Sequence, residues 1–379
     1  LTARAHESLG QQEAARRAYG VLLANFPRGR RSSDAHRAVV GLTRSTYEVT
    51  LDFRFANRGA EEAEQIRFRV QAAQDFPPYS TARLLDLPPD AVGRQLADGT
   101  RYFSFEPFSL APGQERTLRL RYAVAVSAES YAASASGIDG DSPDGYLQGT
   151  RYIESDAPEI RSLAATLAPA GAPARVTARR FYDFVLERLS YAVQPATHGA
   201  LGALARPGQA DCTEFAALFI ALNRAAGIPS RPVFGYLAEP NRETYEISHL
   251  WAEFWEDGTG WLSADPTNGT LEPDRYFARV ESNAIPLWVP SPAFGDLAGV
   301  RVSYRSSGEG DPLFTELVAG VRHVPSAEFE ATAVREVAFS SAGLEDVRST
   351  GARPPLVPTA AFLGAAIGFG FWHRRGRAA

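Results

Sequence analysis

The apolar period of this chain changes twice, from two to 3.6 and back to two, and these changes limit the folds open to it. From about residue 44 apolar side chains alternate: Tyr47, Val49, Leu51, Phe53 and Phe55 run through STYEVTLDFRFA, with similar alternation at 65–70 and 117–126. Asn57-Arg58-Gly59, Pro77-Pro78, Asp98-Gly99 and Pro112-Gly113 supply turn signals between these stretches. Short alternating strands at this spacing predict a β-sandwich-like domain over residues 40–130. Helical spacing returns at 176–189 through Phe181, Phe184, Val185 and Leu189, and again from residue 212 to about 226. Strand patterns then follow at 231–236, 248–255 and 260–264, with an Asp257-Gly258 turn between the last two.

The same pattern divides the chain. Residues 1–30 read as an N-terminal helical segment without the apolar core of a signal peptide, and 131–150 as a small, Gly-rich linker. Residues 151–285 form a second, α+β domain, and 286–340 a β-rich extension. Residues 341–353 are a polar tether. From Pro354 to Trp372, nineteen residues carry no charge, and Arg374, Arg375 and Arg377 follow. A helix of that length spans roughly 28 Å, about one bilayer core. The expectation is a transmembrane helix at 354–372 with a basic cytoplasmic tail at 373–379. It would anchor the protein to a membrane and leave its bulk extracytoplasmic, in the periplasm or at the cell surface. This shape resembles bacterial C-terminal sorting signals of the PEP-CTERM type, although Pro354-Pro355-Leu356-Val357-Pro358 stands where Pro-Glu-Pro is usual.

Cys212 is the only cysteine of 379 residues, so no internal disulfide is available. The residue is a buried apolar group, a reactive thiol or half of an intermolecular bridge. Its position favours reactivity. In GQADCTEFAALFIALNRAAGIPSR it opens the predicted helix, where unpaired N–H groups and the helix dipole favour a thiolate. A thiol nucleophile needs a base, and the base needs a group that orients it. His249 begins one strand of the 248–264 hairpin and Asp265 ends the other, so both emerge at one end of an antiparallel pair. Gln209, in the loop before the cysteine, is a candidate oxyanion donor beside the Cys212 N–H. Trp251 is a candidate groove wall or core residue.

GQADCTEFAALFIALNRAAGIPSRPVFGY, followed by SHLWAEFWEDGTGWLSADPTNG, resembles the bacterial transglutaminase-like superfamily, whose core is related to papain-type cysteine proteases. The resemblance covers roughly residues 155–280. It implies a nucleophile helix packed on an antiparallel sheet, with Cys212 as nucleophile, His249 as general base and acid, and Asp265 as orienter. It also implies attack on an amide carbonyl through a thioester, completed by water or by an amine. The expected partner is a protein or peptide substrate, with cell-wall peptide among the candidates. The alternative is a non-catalytic envelope binding or scaffolding module on the same fold.

The remaining composition removes other classes. A net charge of −5 gives no reason to expect a nucleic-acid partner. All 39 basic residues are arginine, so the chain offers no lysine of its own as an amine acceptor. Glu253, Glu256, Asp257 and Asp274 do not follow a calcium-loop pattern, and one cysteine with scattered histidines does not suit a zinc site. No metal or cofactor is expected.

Overall fold

A computed structural model describes residues 44–130, 143–194, 196–238, 248–294, 297, 299–307 and 312–347, with residues 18, 19 and 21. The expected N-terminal helical segment (those three residues apart), the apolar run 354–372 and the basic tail lie outside the described residues. So does most of the 131–150 linker. Among the described residues no helix is long and apolar enough to cross a membrane.

The alternating first third folds as seven strands: β1 (Arg44–Asn57), β2 (Ala63–Gln71), β3 (Ser80–Asp86), β4 (Ala91–Gln95), β5 (Arg101–Phe105), β6 (Phe108–Leu110) and β7 (Glu115–Ser127). A two-residue β8 (Glu129–Ser130) follows. The inward residues of β1 meet those of β2 and β5 across the core: Phe53 lies 4.8 Å from Phe68 between ring centroids, and Phe68 stacks on Phe105 at 5.2 Å. Asp52, on the other face of β1, is buried because Arg119 binds it with a two-pronged ion pair at 2.6 Å per bond.

The middle of the chain gives α1 (Pro158–Leu167), α2 (Ala174–Arg188), α3 (Gly199–Ala205) and α4 (Cys212–Ala225). Next come β9 (Ser230–Leu237), β10 (Ser248–Glu256), β11 (Gly260–Ala264) and a one-turn helix, α5 (Pro266–Gly269). β12 (Arg279–Val280) pairs with β8, and β13 (Ala284–Trp288) completes an antiparallel sheet of order β11-β10-β9-β13. Helix α3 has no counterpart among the helices expected from the sequence, because its Gly and Ala residues carry almost no periodic signal.

From Cys212 to Arg224 every residue of α4 is buried, since the sheet and helices α1 to α3 pack around it. Phe219 meets Phe254 of β10 edge-on at 6.1 Å. Gly227 ends the helix at φ +81°, a conformation that favours glycine, and lets the Ile228 N–H return to the Asn223 carbonyl at 2.9 Å.

The strands read as a β-rich extension return to the first third. β14 (Val300–Arg305) pairs with β2, and β15 (Leu313–His323) pairs with β1. One sheet therefore runs β15-β1-β7-β3. The other runs β14-β2-β5-β4-β16, its last strand β16 (Phe339–Ser341) being parallel to β4. Helices α6 (Ser326–Ala331) and α7 (Leu344–Val347) flank them. The whole is α+β, with the helix-on-sheet unit set between strands of a two-sheet β region.

The two parts meet through a buried charge pair. Arg231 of β9 donates to Glu253 of β10 at 2.7 Å, and the Tyr79 hydroxyl, from the β region, donates to the same carboxylate at 2.7 Å. The Arg231 guanidinium lies 4.0 Å from the Trp261 ring centroid.

Candidate active site

Cys212 occupies the first turn of α4 because the residues around it fix the helix start. Asp211 is the N-cap: its side chain accepts the Thr213 N–H at 2.9 Å, and Glu214 reaches back to accept the Asp211 N–H at 3.1 Å. This reciprocal capping box draws on the Thr213 N–H, not on that of Cys212. Glu214 also accepts the His198 N–H at 2.8 Å, and Asp211 accepts the Gln194 N–H at 3.3 Å. Gln194 and His198 are thereby tied to the first turn of α4. Burial, then the neighbouring Asp211 carboxylate, raise Glu214 to about 7.

His249 and Asp265 come together through the hairpin. Ala252 opposes Ala264 across β10 and β11, so Asp265 leaves the sheet at the end where His249 enters it. His249 Nε2 lies 2.8 Å from Asp265 Oδ2, and Cys212 is close enough to the same imidazole to help raise its basicity. All three residues are buried. Burial alone would depress the imidazolium. The Asp265 charge and hydrogen bond, then the Cys212 sulfur, outweigh it and raise His249 to about 10. Burial likewise pushes the Asp265 carboxyl up, but His249 and the bonds from Asn268 hold it below its ordinary value.

Asp265 is anchored from three more directions. It caps α5, accepting the Asn268 N–H at 3.1 Å on Oδ1 and the Asn268 side-chain amide at 2.6 Å on Oδ2. Its own carbonyl accepts the Tyr182 hydroxyl of α2 at 3.2 Å. Gly269 is required here by close approach, since a Cβ at that position would run into the Tyr182 hydroxyl. Asn268 has a sequence signal: Asp-Pro marks an N-cap followed by Pro at the first helical position, with Asn268 at the third. Tyr182 has none, because its role depends on helix packing.

Of the other sequence-expected residues, Trp251 joins the site, stacking on His249 with centroids 5.9 Å apart and planes 23° apart. Gln209 stays exposed, its N–H bound to the Arg206 carbonyl at 2.9 Å in a turn. Sequence reading overlooks Tyr191, which bridges to Ala210 beside the nucleophile loop. Tyr191 is 40% exposed, so only partial burial, then the neighbouring Cys212 and Asp211, raise its hydroxyl above the ordinary tyrosine value. The acidic residues considered as cation ligands are engaged elsewhere. Glu253 binds Arg231, Glu256 binds Arg175, Asp257 accepts the Trp255 indole N–H, and Asp274 binds Arg179.

The His249–Asp265 pair gives a pH prediction. A free histidine titrates near 6.5 and a free aspartic acid near 3.8. The stabilisation from raised His249 is full below 6.5 and is lost as pH rises toward about 10; that from depressed Asp265 is full above 3.8 and is lost as pH falls below it. Asp265→Asn keeps the shape but removes the charge that raises His249. Denaturant midpoints measured from pH 6 to 10 should therefore decline less steeply for the variant than for the native protein.

Comparison with known proteins places this geometry. Residues 161–266 match the family model described as the transglutaminase-like superfamily, and this stretch is a transglutaminase-like superfamily domain. A protein-glutamine gamma-glutamyltransferase of Pseudomonas aeruginosa is 35% identical over 121 residues, 29% of this chain and 18% of its own length. The uncharacterized protein YebA of Bacillus subtilis is 32% identical over 76 residues, 17% of this chain and 10% of its own. The chain thus spans less than a fifth of the length of these two curated relatives. Among solved structures, a candidate cysteine protease of Cytophaga hutchinsonii aligns with a TM-score of 0.51 at 16% identity, covering 74% of this chain and 98% of that one. That likeness concerns the fold.

Proposed function

We propose that the chain is a cell-envelope cysteine enzyme that attacks amide bonds of a protein or peptide through a Cys212 thioester. The observation that carries this reading is the buried His249–Asp265 pair, held at 2.8 Å and anchored at its far end by Asn268 and Tyr182, with Cys212 beside the imidazole on the first turn of α4. With Nε2 held by Asp265, Nδ1 is the imidazole nitrogen left to serve the sulfur. The Cys212 thiolate adds to the carbonyl carbon, and the oxyanion forms beside the Cys212 N–H, a first-turn donor outside the capping box. Tyr191, bridged to Ala210 beside the nucleophile loop, is the second donor we assign in place of Gln209. His249 protonates the leaving amine, which departs as the thioester forms. It then deprotonates water or an incoming amine, which attacks the thioester and returns the thiol.

The membrane reading of residues 354–372 supports an extracytoplasmic setting, and peptide or isopeptide bonds of the envelope are the substrates that setting offers. The test is covalent capture. Protein incubated with envelope extract should carry an acyl group on Cys212, detected by intact-mass and peptide mass spectrometry and discharged by hydroxylamine. A fluorescent primary amine then separates the two outcomes of deacylation, since its incorporation marks transamidation and free acid marks hydrolysis. Absence of any Cys212 adduct across envelope fractions, with native fold retained, would falsify the enzyme reading.

A further inference from the structure

A second polar site lies in the β region, on a sheet face that the triad does not use. Alternation along β2 sends Ile66, Phe68 and Val70 into the core and Arg67 and Arg69 to the opposite face. Register places Ser104 of β5 opposite Arg69, and Arg94 of β4 opposite Tyr102. These side chains and Asp346 of α7 line a cavity of about 140 Å³. Such a face would ordinarily be wet. Here Arg69 is only 9% exposed and Tyr102 only 1%. Phe294 packs edge-on against the Tyr102 ring at 5.2 Å, with Val347 in the same cluster.

Two of the residues that line this cavity each carry a buried donor without a hydrogen-bond partner among the described residues, Arg69 Nη1 and the Tyr102 hydroxyl. A buried donor left unpaired costs about 1–3 kcal/mol, more when charged. Charge runs the same way. Arg67, Arg69 and Arg94 line the cavity against the single carboxylate of Asp346, which also accepts the Gly343 N–H at 2.9 Å. Arg301 stands opposite Arg69 on β14 and adds to the positive field. Burial, together with Arg67 and Arg301, presses the Arg69 guanidinium below its ordinary value.

We propose that this cavity binds a phosphate-class anion, with Arg69, Arg94 and the Tyr102 hydroxyl as its donors. Guanidinium forks match the paired oxygens of phosphate. Three arginines against one carboxylate leave an excess that a dianion matches and a monocarboxylate does not. The site is remote in sequence from the triad and requires no turnover, so it stands apart from the enzyme reading.

The test titrates the full chain with inorganic phosphate and, separately, with glycerol 3-phosphate by calorimetry at constant ionic strength. Saturable one-to-one binding is expected. Arg94→Gln, at the half-buried edge of the cavity, should weaken it by roughly ten- to a hundredfold. Tyr102→Phe keeps the ring packing and loses only the hydroxyl, and should weaken it by about three- to tenfold. Tighter binding of glycerol 3-phosphate assigns the site to a phosphate ester such as a lipid headgroup; tighter binding of inorganic phosphate assigns it to the free ion. No saturable binding of either probe, or equal affinity in native protein and Arg94→Gln, overturns the proposal.

Discussion

Cys212→Ala should abolish adduct formation with envelope substrates and lower turnover by about 10⁴-fold or more, while leaving the fold intact. The size follows from the role: thioester chemistry has no second sulfur to use, because the chain contains no other cysteine. The fold survives because an alanine methyl opens the helix as well as a thiol does, and because the capping box belongs to Asp211 and Glu214. His249→Ala should cost a similar factor and should also slow alkylation of Cys212 by iodoacetamide, which an intact site accelerates over free cysteine through the imidazolium beside the sulfur. A scaffolding module would show neither effect: Cys212 would alkylate no faster than free cysteine, and its replacement would change no envelope phenotype.

Glu253→Gln should be strongly destabilising, costing about 3–5 kcal/mol. Glu253 and Arg231 are both almost fully buried, so the substitution leaves a guanidinium without its counter-charge in a dry environment. It also weakens the bond from Tyr79, which ties the β region to the β11-β10-β9-β13 sheet. Against a typical domain stability of about 5–15 kcal/mol this loss is large, and urea midpoints will register it. Tyr79→Phe serves as the control: it removes one hydrogen bond but leaves the ion pair, and should cost about 1–2 kcal/mol. If the two variants lose stability equally, the Arg231 charge is compensated by something other than Glu253.

Cys212, His249 and Asp265 are legible in the sequence because each sits at the end of an element whose period is strong. The cysteine opens a long apolar helix, and the hairpin around Asp257-Gly258 puts the other two at one end. Their supports are less legible. Tyr182 reaches Asp265 across eighty-three positions, and Tyr79 reaches Glu253 across one hundred and seventy-four. Local pattern carries no information on contacts so distant. β14 and β15 show the same limit, since alternation at 300–304 marks a strand but not its partner, and a strand can pair with any free edge. Gln209 errs in another way. Its position in the loop before the cysteine suggests an oxyanion donor, yet the turn closed onto Arg206 turns its side chain to solvent.

The return of β14 and β15 to β2 and β1 gives the transglutaminase-like unit two covalent attachments to the β region instead of one. A unit held by a single linker can swivel; one held at both ends resists rotation. During synthesis β1 and β2 emerge early, but β1 waits for residues 313–323 and β2 for residues 300–305. Until then each has one edge without its final neighbour, and a chain cut after residue 288 would keep both edges open to other strands.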